Sequence, residues 1–250
     1  THPAPGHPAT LQGHLHRGRA GAARSVQRPH AAQCSERPRA APSNARVTIR
    51  AMPRPPLVLA STSRYRRELL ERLRLPFEVV SPQVDETPAP GEAPAALARR
   101  LALAKAQAVA ATRPDAVVIG SDQVADLDGR PIGKPGTHER AVEQLRSLSG
   151  RCAVFQTAVA VVRGDRGFAR TLLAPVTVQF RTLADAEIER YLRAEQPYDC
   201  AGSAKSETLG IALLERITSD DPTALVGLPL IRTCALLREA GLDPLDGPGA

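Results

Sequence analysis

The chain has 250 residues, enough for one or two domains with a real core. Its formal net charge of +7 belongs to residues 1–51, which hold eight Arg, no Lys, no Asp and one Glu, while the remainder is balanced. The basic total is therefore no argument that the folded part binds nucleic acid. No run of about 18 apolar residues occurs, which argues against a membrane-spanning helix.

Residues 1–51 are rich in Ala, Pro, Arg and His and show neither periodicity nor a signal-peptide apolar run, so they are expected to be disordered. Met52 is the only Met and precedes Pro53-Arg54-Pro55-Pro56. It predicts a natural start there, with 1–51 as an upstream extension; an organelle transit peptide or a nucleic-acid-binding tail are the alternatives. The plan is a leader over 1–51, a folded domain over 52–242 and a flexible tail over 243–250. Cys34, Cys152, Cys200 and Cys234 are too scattered for a metal knuckle or redox pair. They suggest buried thiols in a reducing compartment.

Leu57–Ala60 predicts a short buried strand, and Ser61-Thr62-Ser63 supplies an N-cap for a helix with Leu69, Leu70 and Leu73 inward. Phe77–Val80 reads as a strand. Pro94–Thr112 reads as a long helix with Leu97, Leu101, Ala104 and Ala108 as its apolar stripe. In Val117–Val124 the first four residues, Val117 to Gly120, read as a buried strand that runs into Ser121-Asp122-Gln123, and Asp128-Gly129 as a type I′ turn. Thr137 caps a helix from His138 to Leu148. Cys152–Arg163 and Phe168–Arg181 form a long hairpin, and Ala184–Ala194 a helix with Ile188, Tyr191 and Leu192 inward. Ile211–Ile217 reads as a strand, and a last helix runs from Pro229 to Gly241 with Leu230, Ile231, Cys234 and Leu237 inward. Strands alternating with helices, hairpins included, predict an α/β class with a mixed sheet.

Four features carry candidate chemistry. A carboxylate where a buried strand ends is costly unless paired or used, so Asp122 is either a turn residue or a catalytic group. The first helix opens with Arg64, Arg66 and Arg67 and no acid before Glu68. Cations at a helix N-terminus are unfavourable alone, but suit a bound phosphate; the alternative is a solvated basic turn. Lys105 beside an apolar stripe either snorkels to water or reaches an anion in a cleft. Lys134, between Gly133 and Pro135, is a surface lysine or a second anion ligand. The carboxylates Asp85, Glu86, Asp122, Glu207, Asp220 and Asp221, with no His or Cys cluster, would favour Mg²⁺ or Mn²⁺ over zinc. A P-loop is absent, and His138 as the sole His beyond the leader makes a Ser–His–Asp triad improbable.

The runs Leu57-Val-Leu-Ala-Ser-Thr-Ser-Arg-Tyr-Arg-Arg, Val84-Asp-Glu-Thr-Pro, Ile119-Gly-Ser-Asp-Gln-Val, Ile132-Gly-Lys-Pro, Cys200-Ala-Gly-Ser-Ala-Lys-Ser-Glu and Val226-Gly-Leu-Pro-Leu resemble, in order over about residues 56–242, the Maf family of nucleoside triphosphate pyrophosphatases. Tyr65, Gln123 and Glu207 resemble the YceF-type branch, which acts on 7-methyl-GTP; Thr208 departs from the Gly usual there. The resemblance implies a Maf/ITPase-like elongated mixed sheet with two lobes around a central cleft, so that 52–242 is the catalytic domain. It implies hydrolysis to the monophosphate and diphosphate with a divalent cation, Mg²⁺ or Mn²⁺, and the clearing of modified nucleotides from the cytoplasm. Asp122 is then the proton acceptor. Ser61, Arg66, Arg67, Lys105 and Lys134 hold the triphosphate, Tyr65, Gln123 and Glu207 set base choice, and Glu86 and Asp122 take the metal. The implied partner is a small nucleotide, with no membrane and no nucleic acid for the folded domain, and a homodimer left open. A nucleotide-binding regulator of septum formation, or the same enzyme acting on dTTP or UTP, are the other readings.

Overall fold

The computed structural model describes residues 54–246. The predicted leader and the last four residues of the tail lie outside them. Seven strands and five α-helices follow in the order β1 (Leu57–Ala60), α1 (Arg64–Glu71), β2 (Glu78–Val80), α2 (Pro94–Ala110), β3 (Val117–Leu127), β4 (Arg130–Ile132), α3 (His138–Leu148), β5 (Cys152–Arg163), β6 (Phe168–Phe180), α4 (Asp185–Glu195), β7 (Leu214–Thr218) and α5 (Leu230–Glu239). One sheet runs β2-β1-β3-β5-β6-β7, with β4 paired to β3. The β2-β1-β3 end is parallel and the rest antiparallel, so the sheet is mixed, as the sequence predicts.

Strand alternation divides the core. Val58, Ala60, Val118, Ala158 and Ala160 face α2. Their neighbours Leu57, Leu59, Ile119, Val159 and Val161 face α1 and α5 on the other side. Farther along the β5–β6 hairpin, Phe155, Val176, Val178 and Phe180 pack with α3 and α4. The hairpin thus belongs to all three clusters and ties the sheet end to end.

Sequence and structure differ in five places. The buried face of α2 runs through Leu97, Ala98, Leu101, Ala102, Lys105, Ala106 and Val109, and Ala108 is exposed. A lysine in the middle of the true stripe disguised it. On α5 the buried residues are Thr233, Leu236 and Leu237, while Ile231 is 56% exposed; Thr233 satisfies its hydroxyl on the Pro229 carbonyl and so tolerates burial. Residues Leu209–Leu213 form a 3₁₀ turn, and only Leu214–Thr218 pair as a strand. Asp122 is mid-strand, because β3 continues to Leu127. Cys152 is exposed rather than buried, and neither it, Cys200 nor Cys234 forms a disulfide.

Gly120 fixes how α2 lies on the sheet. A Cβ there would stand 2.2 Å from the Ala102 carbonyl oxygen and 2.7 Å from the Ala106 nitrogen. Neither backbone atom can move without breaking the helix, so only glycine lets the two backbones approach this closely. Gly120→Ala should destabilise the fold by about 1–3 kcal/mol, the usual range for overpacking a core. Denaturant titration checks this, with Gly133→Ala, whose Cβ would meet nothing within 4 Å, as the neutral comparison. Equal stability of the two variants would contradict the packing argument.

Candidate active site

β1 stops at Ala60, opposite Gly120, whereas β3 runs on for seven more residues. Beyond Gly120 the flank of β3 once covered by β1 is open until β4 pairs at Ala125. Asp122 lies in that gap. It therefore sits where the parallel part of the sheet ends, which is where ligands enter such sheets, although its own strand continues. A cleft of about 820 Å³ opens there, lined by the start of α1, the Glu86 loop, Lys105, β3, the Lys134 loop and the segment 199–207.

Lys105 is the hub of its floor. Its ammonium is 2.6 Å from Asp122 Oδ1 and 2.7 Å from Glu86 Oε1, with the side chains of Lys105 and Asp122 almost wholly buried. A buried ammonium needs such partners, and two carboxylates supply them. One of its three donors is left for a further oxygen. Burial, the largest single effect, pushes the Glu86 carboxyl upward, but the hydrogen bond and charge of Lys105 together with the charges of Lys134 and Arg66 outweigh it and leave the carboxyl below its ordinary value.

Arg66 enters from α1. Ser63 caps that helix by accepting from the Arg66 backbone N–H, and no acidic residue occupies its first turn. The Arg66 guanidinium donates from Nε to the Gly227 carbonyl at 3.0 Å and from Nη1 to Ser61 Oγ at 3.4 Å. Burial lowers its pKa, opposed by Asp122 and Glu86. Lys134 is exposed on the facing rim, with no ion pair or hydrogen bond among the described residues.

Gln123 is oriented by its surroundings. Its Nε2 donates to Thr157 Oγ1, Ala224 O and Leu225 O at 2.9–3.0 Å. Two of those partners are carbonyls, so the nitrogen must face them, and Oε1 is presented as an acceptor. Glu207 lines the same cleft, exposed and without an ion pair among the described residues. Tyr65 is half-buried on the opposite wall, with the Arg64 guanidinium 4.7 Å from its ring centroid. Thr208, where the family pattern has Gly, has φ −133°, which any L-residue adopts, so the departure introduces no strain.

Thus Ser61, Tyr65, Arg66, Glu86, Lys105, Asp122, Gln123, Lys134 and Glu207 all line one cleft. Arg67 does not. Its side chain is 63% exposed and pairs with Glu71 one turn on. At the start of a helix, successive arginines point about 100° apart, so Arg66 and Arg67 cannot share one target. Sequence reasoning named Arg64 only as part of the basic helix start and gave it no role, and it passed over Asp199; both line the cleft. The Arg64 signal was present in the basic helix start; nothing in the local pattern marked Asp199.

For a divalent cation, Glu86 and Asp122 converge on one point, as their shared hold on Lys105 shows. Among the described residues no three His, Cys, Asp or Glu side chains do so. Two hard oxygen donors completed by substrate phosphate and water fit Mg²⁺ or Mn²⁺ and do not fit a protein-only cage.

The chain matches the Maf-like protein family over residues 56–240, and it belongs to that family. It is 73% identical over 187 residues to a 7-methyl-GTP pyrophosphatase of Polaromonas sp. strain JS666, covering 75% of this chain and 85% of the relative. Proteins of that description from Albidiferax ferrireducens and Bordetella pertussis are 65% and 64% identical over 189 and 193 residues. Those matches take in 76% and 77% of this chain and 95% and 96% of the relatives.

The loop that carries Glu86 is fastened to α2 by Arg100, whose guanidinium holds Glu92 through two bonds of 2.7 and 2.8 Å and the Thr87 carbonyl at 3.1 Å. The Arg100 hydrogen bond, helped by the Ala89 N–H, holds the Glu92 carboxyl down at about 2, against 4.5 ordinarily. A depressed carboxyl stabilises the fold fully above its unfolded pKa, and that stability is lost as pH falls through the folded one. The melting-temperature gap between the native chain and Glu92→Gln should therefore be full at pH 6, shrink below pH 4.5 and close near pH 2. A gap independent of pH would contradict the pairing. The Arg100 guanidinium is open to solvent, so the gap is small and should shrink in salt.

Proposed function

We propose that this chain hydrolyses 7-methyl-GTP to 7-methyl-GMP and diphosphate. The observation that carries the reading is the single cleft in which Asp122, on Lys105, lies between phosphate-seeking cations and two hydrogen-bond acceptors. The names of the relatives at 64–73% identity support it.

A triphosphate carries about four negative charges, and catalysis of its cleavage is chiefly positioning and charge neutralisation. The N–H groups at the start of α1, with Ser61, Arg66 and Lys134, receive its phosphate oxygens. Arg66 is pre-set for this by its bonds to Gly227 and Ser61. Lys105 offers its remaining donor to the same oxygens while fixing the Asp122 carboxylate. Asp122 Oδ2 has no hydrogen-bond partner among the described residues, so it can accept a proton from water. That water attacks the α-phosphorus, its bond to the bridging oxygen breaks, and diphosphate leaves. A divalent cation, held by Glu86 and Asp122 with the phosphates, supplies further charge neutralisation when bound.

The base is chosen by matching donors to acceptors. Guanine presents two adjacent donors, N1–H and N2–H₂, to Gln123 Oε1 and Glu207. Thymine and uracil present one donor between two carbonyls, which two acceptors would repel. Methylation at N7 makes the ring cationic, which favours Glu207 and the face of Tyr65.

In ¹⁸O-water with Mg²⁺ or Mn²⁺, the label should enter 7-methyl-GMP and not diphosphate. Label in diphosphate would contradict attack at the α-phosphorus. Asp122→Asn should lower kcat about 10³-fold with nucleotide affinity nearly kept, as loss of a general base does. Retained turnover would remove Asp122 from the reaction. Glu207→Gln should narrow the preference for 7-methyl-GTP over UTP, read as the ratio of kcat/KM values.

A further inference from the structure

Asp221 is a wholly buried carboxylate that none of these steps uses. The sequence marks it as candidate chemistry, yet it does not line the cleft. Its partners lie at the start of α5. Pro229 precedes that helix and offers no side-chain cap. Two side chains upstream supply one. Thr223 Oγ1 accepts from the Leu230 N–H at 2.8 Å, and Asp221 Oδ2 accepts from the Arg232 N–H at 3.1 Å. A hydroxyl and a carboxylate suit the free N–H groups and positive end of a helix. The Thr223 hydroxyl in turn has the Leu228 carbonyl at 2.8 Å and Asp221 Oδ1 at 3.1 Å as acceptors for its one hydrogen. The Arg232 guanidinium, 3.8 Å from Asp221 Oδ2, adds Coulomb attraction but is too far for a hydrogen bond.

These bonds clasp the two ends of a short turn. The Asp221 carbonyl accepts from the Ala224 N–H at 3.0 Å, and Ala224–Val226 form a single 3₁₀ turn before Gly227. Three carbonyls between Ala224 and Gly227 hold side chains of the cleft. Those of Ala224 and Leu225 accept from Gln123 Nε2 at 3.0 and 2.9 Å. That of Gly227 accepts from Arg66 Nε at 3.0 Å. Gln123 serves the base in the proposed reaction, and Arg66 the phosphates. Hydrogen bonds weaken steeply as they bend, so a turn that shifts loses its hold on both side chains at once.

We propose that Asp221 and Thr223 are positioning residues for both ends of the nucleotide: by clasping the turn over 224–227 they set the Gln123 amide for the base and the Arg66 guanidinium for the phosphates together. This rests on the reading of the cleft as a 7-methyl-GTP site. Neither residue lines the cleft, so their effect reaches binding and base choice through Gln123 and Arg66.

The test uses the full chain as Thr223→Val, Thr223→Ser, Gln123→Ala and the Thr223→Val/Gln123→Ala pair. Two quantities are read. One is the ratio of kcat/KM for 7-methyl-GTP to that for UTP, which does not depend on how much of a variant is folded. The other is the affinity for inorganic tripolyphosphate, a probe with no base, by titration calorimetry. Thr223→Val should lower the ratio and the tripolyphosphate affinity about fivefold each, the weight of about one hydrogen bond. Thr223→Ser keeps the hydroxyl and should restore most of both. With Gln123→Ala already present, Thr223→Val should lower the ratio no further yet still weaken tripolyphosphate, because Arg66 is still displaced. Should Thr223→Val not fold, Thr223→Ala carries the same expectations. Both quantities unchanged in a folded variant, a change in only one of them, or a fully additive loss of the ratio in the pair would overturn the proposal. Failure of the native chain to turn over 7-methyl-GTP would sink the functional reading. Tripolyphosphate binding would then still decide the clasp: weakened in Thr223→Val it supports the hold on Arg66, and unchanged it overturns it.

Discussion

The site depends on the contact between the backbone of α2 and the backbone of β3 at Gly120. Ala102 and Ala106 flank the glycine, and Lys105 is the next large side chain on that face. Because helix and strand touch backbone to backbone, a lysine from the apolar face of α2 reaches only two residues along β3, to Asp122. Were the helix lifted by the width of one methyl group, the ammonium and carboxylate would separate, leaving the buried Asp122 carboxylate without its hydrogen-bond donor and Lys105 with Glu86 alone. A core-packing rule and a catalytic geometry are here one constraint.

From that pair the site extends by substitution of partners. Glu86 shares Lys105 with Asp122, and Arg66 lies close enough to feel both carboxylates. Opposite charges alternate across the floor, so the free protein holds its buried charges paired until a polyanion competes for the cations. The segment 221–230 supports this from behind. Its carbonyls accept from Arg66, Ser121, Gln123 and Thr157. Buried Asp221 and Thr223 hold the start of α5 and with it the shape of that segment. Arg66 on one side of the cleft and Gln123 on the other are therefore positioned by one loop.

Much of this was legible in the sequence, and the exceptions have physical causes. The strand-cap-helix signal of Leu57–Arg67 singled out Ser61 and Arg66, which the structure places in the cleft, because capping and helix polarity are local. The mixed sheet followed from alternation and turns. Asp122 was singled out for its burial, but its place mid-strand was hidden, since where β1 stops is not written in β3. The α2 stripe was misjudged by counting Lys105 as outside the apolar face, and that error hid its pairing with Asp122 and Glu86, although the residue itself was singled out as an anion ligand. Which of two adjacent arginines faces the cleft depends on helix phase, and the sequence placed both there. On α5 Leu237 was read correctly as inward, but Thr233 was missed because it reads as polar until its hydroxyl is seen bonded to the turn before it.

The most direct measurement is a crystal structure with 7-methyl-GTP in which a methylene group replaces the oxygen between the α- and β-phosphorus, so that hydrolysis is blocked. The account predicts phosphate oxygens within hydrogen-bond distance of Ser61, Arg66 and Lys134, the α-phosphorus facing the free oxygen of Asp122, and the guanine edge against Gln123 and Glu207. A triphosphate bound elsewhere, with Lys105 and Asp122 still facing only each other and Glu86, would contradict it.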